Sequence, residues 1–526
     1  MNRISAKALK ARLDEPAELA FIDVREPGQY GDGHPFFAIN IPYSRLELDV
    51  ARLIPHPHTE VVLIDQGDGV AERACERLQA LGFTRLGVVE GGCPAWAKAG
   101  YTLFDGLNLP SKTFGEVVEE TFHTPHIDAN TLQRMRDSGE DFLLLDGRTA
   151  EEFARMNIPG GRICPNAELG HRLPVLDPEH DRTVVVNCAG RTRSIIGAQS
   201  LLNLGFSQRI VALENGTQGW TLAGFELERG SSPKPLPSLS ADALQASRAR
   251  ARRTIERFAL PTVDEAQLAQ WQQEPRNLFL LDVRTEEEYE QGHLPGALHA
   301  PGGQLTQATD AWVGVRNATI VLCDDTGLRA ANTAIWLRGM RHHAYVLDCD
   351  VSGHPARTTE RPVEPMPQPL AEITAAELDG YLSKGAPLFD LRASQRYRDA
   401  HLEAARWATR ARLPSLLGSQ TPATVVLVAD DPRLAALAAI DLRASGIASV
   451  LLPGTSVDAW RKAGLSVVST PDAPSDAERI DFIFHTHDRH QGNLEASRAY
   501  LAWETGLIAR LDDQERASLQ PLRPTD

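Results

Sequence analysis

An apolar run ending in Asp-x-Arg occurs four times in this chain, in FIDVREPGQY, LLLDGRTAEEF, LLDVRTEEEY and LFDLRASQRY, with Asp23, Asp146, Asp282 and Asp390 as its aspartates. A second apolar run follows each one: VVLIDQGDGV, VVVNCAGRTR, IVLCDDTGLR and VVLVADDPRL. From the aspartate to the residue opening the second loop is 42 positions in the first three copies, and 40 in the fourth if Asp430 opens it. A third segment closes each unit: EGGCPAWAKAG, ENGTQGWTLAG, DCDVSGHPA and PGTSVDAWRKAG. Trp96, Trp220 and Trp460 stand at equivalent places, with His354 in the third copy. Spacing repeated this closely marks internal duplication, and it requires one supersecondary unit to be built four times.

Between the second loop and the third segment lie a helical pattern and another apolar run, as in GAQSLLNLGF followed by RIVALEN. Ala198, Leu201, Leu202 and Gly205 recur at helical spacing, and LGF reads as a C-terminal stop. Strand, helix and strand in succession predict a βαβ unit with parallel pairing. The expected fold class is therefore α/β: four tandem domains, each a small parallel sheet flanked by helices, over residues 1–107, 120–230, 255–358 and 370–472, with a helical tail over 473–526. A chain of 526 residues is too long for a single core, which agrees. Ser231 to Gln245 and Arg357 to Thr374 are proline-rich and polar, as connectors should be. Ser247 to Phe258 is a basic helical stretch, read as a helix packing between the second and third units.

A net charge of −16 argues against nucleic acid or an anionic membrane as the main partner, although a local basic pocket can still take a small anion. The N-terminal segment has no apolar core of a signal sequence, and no run of about 18 apolar residues occurs, so no membrane association and a cytoplasmic location are expected. Six cysteines lie far apart without a CxxC pair. That spacing disfavours a disulfide framework and a zinc site, and predicts free thiols with no metal or other cofactor.

One of those cysteines carries the chemistry. Val184 to Val186 suit a buried strand, and Ser194 onward reads as a helix, so Cys188 falls at a strand's carboxyl end. Ligands bind there in open α/β sheets, and a loop running into a helix N-terminus turns backbone N–H groups inward as an anion cradle. Arg191 and Arg193 add positive charge, and surroundings of this kind favour a nucleophilic thiolate.

This loop, CAGRTR from Cys188 to Arg193, resembles the six-residue active-site loop of the rhodanese family of sulfurtransferases, whose cysteine carries a transferable sulfur as a persulfide. The Asp-x-Arg strand, the His/Gly segment after it (QGHLPGALHAP, MNIPGGRICPN) and the Gly/Trp turn are similar to the same family, so the resemblance covers most of the chain. It implies a thiosulfate sulfurtransferase-like enzyme. Cys188 would be catalytic, with Ala189, Gly190, Arg191, Thr192 and Arg193 binding the substrate. The donor would be a small anionic sulfur compound such as thiosulfate, and the acceptor cyanide, a thiol or a partner protein. The Asp-x-Arg pairs read as structural. Two rival classes stand beside this reading: a phosphatase or arsenate reductase, which the short loop disfavours, and a sulfur carrier or scaffold serving one protein partner.

The equivalent of Cys188 is Asp65 in the first copy, Asp324 in the third and Ala429 or Asp430 in the fourth, so these three are expected to be inactive. An aspartate there places a carboxylate in its own cradle. Cys323 to Arg329 has phosphatase-like spacing, but the repeat register makes Cys323 the last residue of a strand, facing the core. HTHDRH, His485 to His490, resembles a metallohydrolase motif only superficially, with Asp488 one place early. The expected alternative is a helix capped by Asn493, with Leu494, Leu501, Ile508 and Leu511 on its apolar face, docked onto a domain.

Overall fold

Each repeat places its Asp-x-Arg strand and its loop-bearing strand side by side at the centre of a parallel sheet. In the computed structural model, which describes residues 2–349, 351, 367–419, 421–454, 456–489 and 492–525, three sheets have five strands in the same order. In the second repeat that order is His126–Ile127, Ile210–Leu213, Thr183–Asn187, Phe142–Asp146 and Arg162–Ile163, all parallel. The fourth repeat keeps four strands, Ala405–Trp407, Leu388–Asp390, Thr424–Ala429 and Ala448–Pro453, and a bridge from Glu372 to Leu451 stands where the outer strand would be. His354 lies outside the described residues.

The four Asp-x-Arg pairs form one device, used four times. Arg25, Arg148, Arg284 and Arg392 each grip the aspartate two residues earlier at 2.6 to 2.7 Å. The same guanidinium then donates to a backbone carbonyl, of Gly33, Met156, Gly292 and Ala400 respectively. All four pairs are buried, so they tie the end of the Asp-x-Arg strand to the C-terminal end of the helix that follows it. Removing one partner of such a pair costs about 3–5 kcal/mol, because a charge is left buried alone.

Strand register settles which residue of the fourth repeat corresponds to Cys188. Asp23, Asp146, Asp282 and Asp390 pair with Ile64, Asn187, Cys323 and Val428, so the next residues are Asp65, Cys188, Asp324 and Ala429. Ala429 is the equivalent, and Asp430 faces outward to pair with Arg396. Cys323 is the last residue of the Thr319–Cys323 strand and fully buried, as the repeat register requires; burial raises its thiol well above the ordinary range.

The repeats are locked together by charges and backbone pairing that the sequence did not reveal. Repeats one and three join through a bridge between Leu19 and Arg316, and through Asn277, which donates to Glu18 and Thr59. Arg410 of repeat four is clamped by Glu47 of repeat one and by Asp441. Arg329 of repeat three reaches Glu168 of repeat two at 2.8 Å. The basic stretch extends to a helix, Ala241–Arg257, that begins inside the expected connector with Ser240 as its cap. It lies between repeats two and three, with Arg257 donating to the Asn203 carbonyl and Arg248 to that of Asp325. A helix over Leu109–Phe122 likewise runs across the expected start of the second domain at residue 120.

The tail docks on repeat one and reaches repeats two and four as well, through Thr192 and Ser394. Ile480 and Phe482 press on Gly28, Trp503 on Gly106, and Glu515 pairs with the buried Lys10. Asn493 caps the Leu494–Gly506 helix as expected, but Leu494 is exposed, so the buried side of that helix begins at Ser497. His485 faces Asp105 and lies against Trp503, and His487 contacts Asp488, while His490 is outside the described residues.

Candidate active site

Cys188 ends up buried at the carboxyl end of the central Thr183–Asn187 strand. The helix after it begins at Thr192, two residues earlier than expected, so most of the loop is the run-in to that helix. Ser194 in its first turn donates its hydroxyl to the Cys188 sulfur at 3.1 Å. Gly205 ends this part of the chain in a left-handed conformation, φ 76°, as its place in LGF predicts.

Behind the loop stands the turn that opens the third segment. Thr217 N–H donates to the Cys188 carbonyl at 2.8 Å and Gln218 N–H to that of Ala189 at 3.1 Å. Gly216 holds φ 51°, and a Cβ there would lie 2.2 Å from the Cys188 carbonyl oxygen. The ENG turn is therefore the backstop that fixes the cysteine's backbone. Gly92 fills the same place behind Asp65, where a Cβ would lie 2.4 Å from the Asp65 carbonyl oxygen.

What the loop is built to bind can be read from repeats one and three, where the chain supplies its own ligand. The Asp65 carboxylate accepts from the backbone N–H groups of Gly67 at 2.8 Å, Gly69 at 3.1 Å and Ala71 at 3.0 Å. Asp324 accepts from the N–H groups of Gly327 and Arg329. A carboxylate thus occupies the loop of repeat one and that of repeat three, held by backbone N–H groups as an anion is. In repeat two the residue at that position is a thiol, and the carboxylate is gone.

The two loop arginines are not bare charges. Arg191 holds Glu116 through Nε at 2.8 Å and a terminal nitrogen at 2.9 Å, and Arg193 holds Glu152 through both terminal nitrogens at 2.7 Å. Burial opposes the Arg193 charge, but Glu152 outweighs it and raises its pKa; in return, against its own burial, Glu152 is held down to about 2. Burial lifts Glu116 above the usual carboxylate range despite Arg191, and nearby Glu504 adds to the shift. The Arg193 carbonyl accepts from Asn166, so this end of the loop is anchored on both sides.

A roof covers the loop, and it comes from the tail. Thr192 donates its hydroxyl to Glu504 at 2.7 Å. A Cβ on Gly190 would lie 3.2 Å from the other Glu504 oxygen, 3.3 Å from Gln218 Nε2 and 3.4 Å from the Tyr500 ring. Tyr500 is held in turn by Lys112 and by Arg489 stacked on its face. The Thr192 side chain also meets Gly115 of the connector helix. Cys188 is only 2% exposed. Sequence reasoning brought Cys188 to Arg193 together but missed Ser194, Glu116, Gln218, Tyr500 and Glu504. The three acidic and aromatic residues lie far away in sequence and carry no local motif.

The family model for a rhodanese-like domain matches three segments, residues 5–99, 128–223 and 263–353. The chain belongs to the rhodanese family. A crystal structure of a thiosulfate sulfurtransferase from Pseudomonas aeruginosa is 39% identical and superposes with a TM-score of 0.88 over 100% of both chains. A sulfurtransferase of Allochromatium vinosum is 34% identical over 104 residues, covering 19% of this chain and 92% of its own. A putative sulfur carrier protein of Bacillus subtilis is 29% identical over 103 residues, 20% of this chain, and only 54% of that protein is spanned. These rhodanese relatives support sulfur transfer as the general class of chemistry. Among the described residues, no helix is long and apolar enough to cross a membrane.

Proposed function

We propose that the protein is a sulfurtransferase that moves a sulfane sulfur from an anionic donor of the thiosulfate type to a thiol or cyanide through a persulfide on Cys188. The observation that carries this reading is the exchange of a carboxylate for a thiol at one register position: Asp65 and Asp324 in repeats one and three, Cys188 in repeat two. The full-length likeness to the Pseudomonas aeruginosa protein supports the donor class.

In the first step the Cys188 thiolate attacks the outer sulfur of the donor. A new S–S bond forms, the donor's own S–S bond breaks, and its electron pair leaves with sulfite. The backbone N–H groups of the loop hold the negative charge of the transferred sulfur, as they hold the carboxylates in the sister repeats. In the second step an acceptor thiolate attacks that outer sulfur, the electron pair of the Cys188 bond returns to the thiolate, and the acceptor leaves as a persulfide. Cyanide would leave as thiocyanate. Neither step needs an external oxidant or reductant. Burial under Tyr500 and Glu504 excludes water from the intermediate, and Ser194 orients the sulfur.

Repeats one, three and four then serve as scaffold, since none presents a thiol at the equivalent place. Intact-protein mass spectrometry after thiosulfate treatment tests the assignment. Wild type should gain one sulfur that cyanide removes, and Cys188→Ser should gain none; equal gain by the variant would refute the role of Cys188.

A further inference from the structure

The roof over the cradle holds an unmatched pair of polar groups. Glu504 is 1% exposed, and Thr192 engages only its Oε1, so that Oε2 has no donor among the described residues. Gln218 is 3% exposed, and neither end of its amide has a partner among them. Both groups converge on Gly190, the residue two places after the nucleophile. A buried carboxylate oxygen without a donor costs more than any neutral polar group in the same place, so its position points to a partner that arrives with the substrate. The nearby cations direct their hydrogen bonds or ring contacts to other groups, Arg191 to Glu116, Arg193 to Glu152, Lys112 to the Tyr500 hydroxyl and Arg489 to the Tyr500 ring, although the Arg191 charge also acts on Glu504.

Resting on the sulfur-transfer reading above, we propose that Glu504 determines acceptor specificity: the site favours thiols that carry an ammonium or similar N–H donor two or three bonds from the sulfur, and disfavours thiols carrying a carboxylate. Such a group pairs with Glu504 Oε2 as the thiolate reaches the Cys188 persulfide. The amide of Gln218 offers a second hydrogen bond from the same side. A carboxylate there meets like charge in a desolvated setting, which raises the barrier to its approach. The transfer itself is unchanged: the acceptor's S–S bond forms, the bond to Cys188 breaks, and the acceptor's thiol proton is released to solvent as it becomes the thiolate.

The test uses the full chain loaded with sulfur from thiosulfate and then desalted. Cysteamine, 2-mercaptoethanol and 3-mercaptopropionate are offered in turn, and loss of the extra sulfur is followed by mass spectrometry. Each rate is divided by that thiol's uncatalysed rate with glutathione persulfide, which removes intrinsic nucleophilicity. Wild type should prefer cysteamine to 3-mercaptopropionate by about tenfold or more, and Glu504→Gln, which keeps an acceptor for Thr192, should bring the ratio near one. A loaded wild type without that preference, or a variant that retains it, overturns the proposal. If the variant fails to fold, the wild-type ratio decides alone. Absence of any sulfur on Cys188 would remove the sulfur-transfer reading itself, and this proposal with it.

Discussion

Thr192 and Glu504 stand 312 residues apart in sequence and 2.7 Å apart in space. That bond ties the last long helix of the chain to the first turn of the helix behind the cysteine. It makes the tail part of the cover over the loop that carries Cys188.

Loosening that helix at a distance should therefore expose the thiol. Gly106 holds φ 102°, and a Cβ there would lie 2.3 Å from the ring of Trp503, which shares its helix with Tyr500 and Glu504. Gly106→Ala is expected to speed alkylation of Cys188 by iodoacetamide severalfold, read by peptide mass mapping, while leaving the circular dichroism spectrum unchanged. An unchanged rate would mean the tail does not control access.

The carboxylates in the sister cradles make a prediction about stability instead of activity. Asp65 is buried and accepts three backbone N–H groups, all of which lose their partner in Asp65→Ala. The expected cost is about 2–4 kcal/mol in urea unfolding, since each orphaned buried donor carries a desolvation penalty. Asp65→Asn keeps one acceptor oxygen and should lose less. Sulfur loading of Cys188 should continue at the wild-type rate in both if repeat one is a scaffold, as proposed.

Much of the fold and part of the site are legible in the sequence. The Asp-x-Arg strands, the loop register and the Gly/Trp turn of the third segment follow from local pattern, because each is set by contacts within one repeat. Cys323 could be placed in the core for the same reason. The balance of charge at the loop could not: Arg191 and Arg193 look like free cations in CAGRTR, and their partners Glu116 and Glu152 lie on other elements whose approach depends on tertiary packing. The choice of Ala429 over Asp430 needed strand register, since the fourth repeat is shorter than the others between its two central strands and spacing alone cannot align it. Glu504 belongs to a tail outside the repeat, where periodicity gives no information.

The response to acid follows from groups with shifted pKa values. Burial lowers His34 to about 3, and burial with the charge of Arg329 lowers His171 to about 4; both pull stability down as pH falls below the ordinary 6.5. Burial raises Glu26 to about 7 and Asp310 to about 6, and these work in the opposite sense across the same window. Stability should change little between pH 7 and 5. Below 4.5 the unfolded chain protonates Glu152 and Glu288, which the native state keeps ionised down to about 2, so stability falls. The urea midpoint measured against pH should show a plateau and then a decline, and Glu152→Gln should make the decline shallower without moving the plateau's edge upward.

The backstop glycine offers a comparison that separates strain from site geometry. Gly216 and Gly224 both adopt positive φ, 51° and 88°, so an alanine at either pays a backbone cost of about 1 kcal/mol. They differ in what the new methyl would meet: nothing within 4 Å at Gly224, but the Cys188 carbonyl oxygen at 2.2 Å and the Gly190 carbonyl oxygen at 3.0 Å at Gly216. Backbone cannot swing aside as a side chain can, so Gly216→Ala must push the loop away and weaken the bond from Thr217 N–H to Cys188. The expected loss is about 2–4 kcal/mol, together with slower sulfur loading from thiosulfate. Gly224→Ala should cost only the smaller amount and load at the normal rate. Equal loading by the two variants at equal folded fraction would show that the position of the Cys188 carbonyl does not matter to the chemistry.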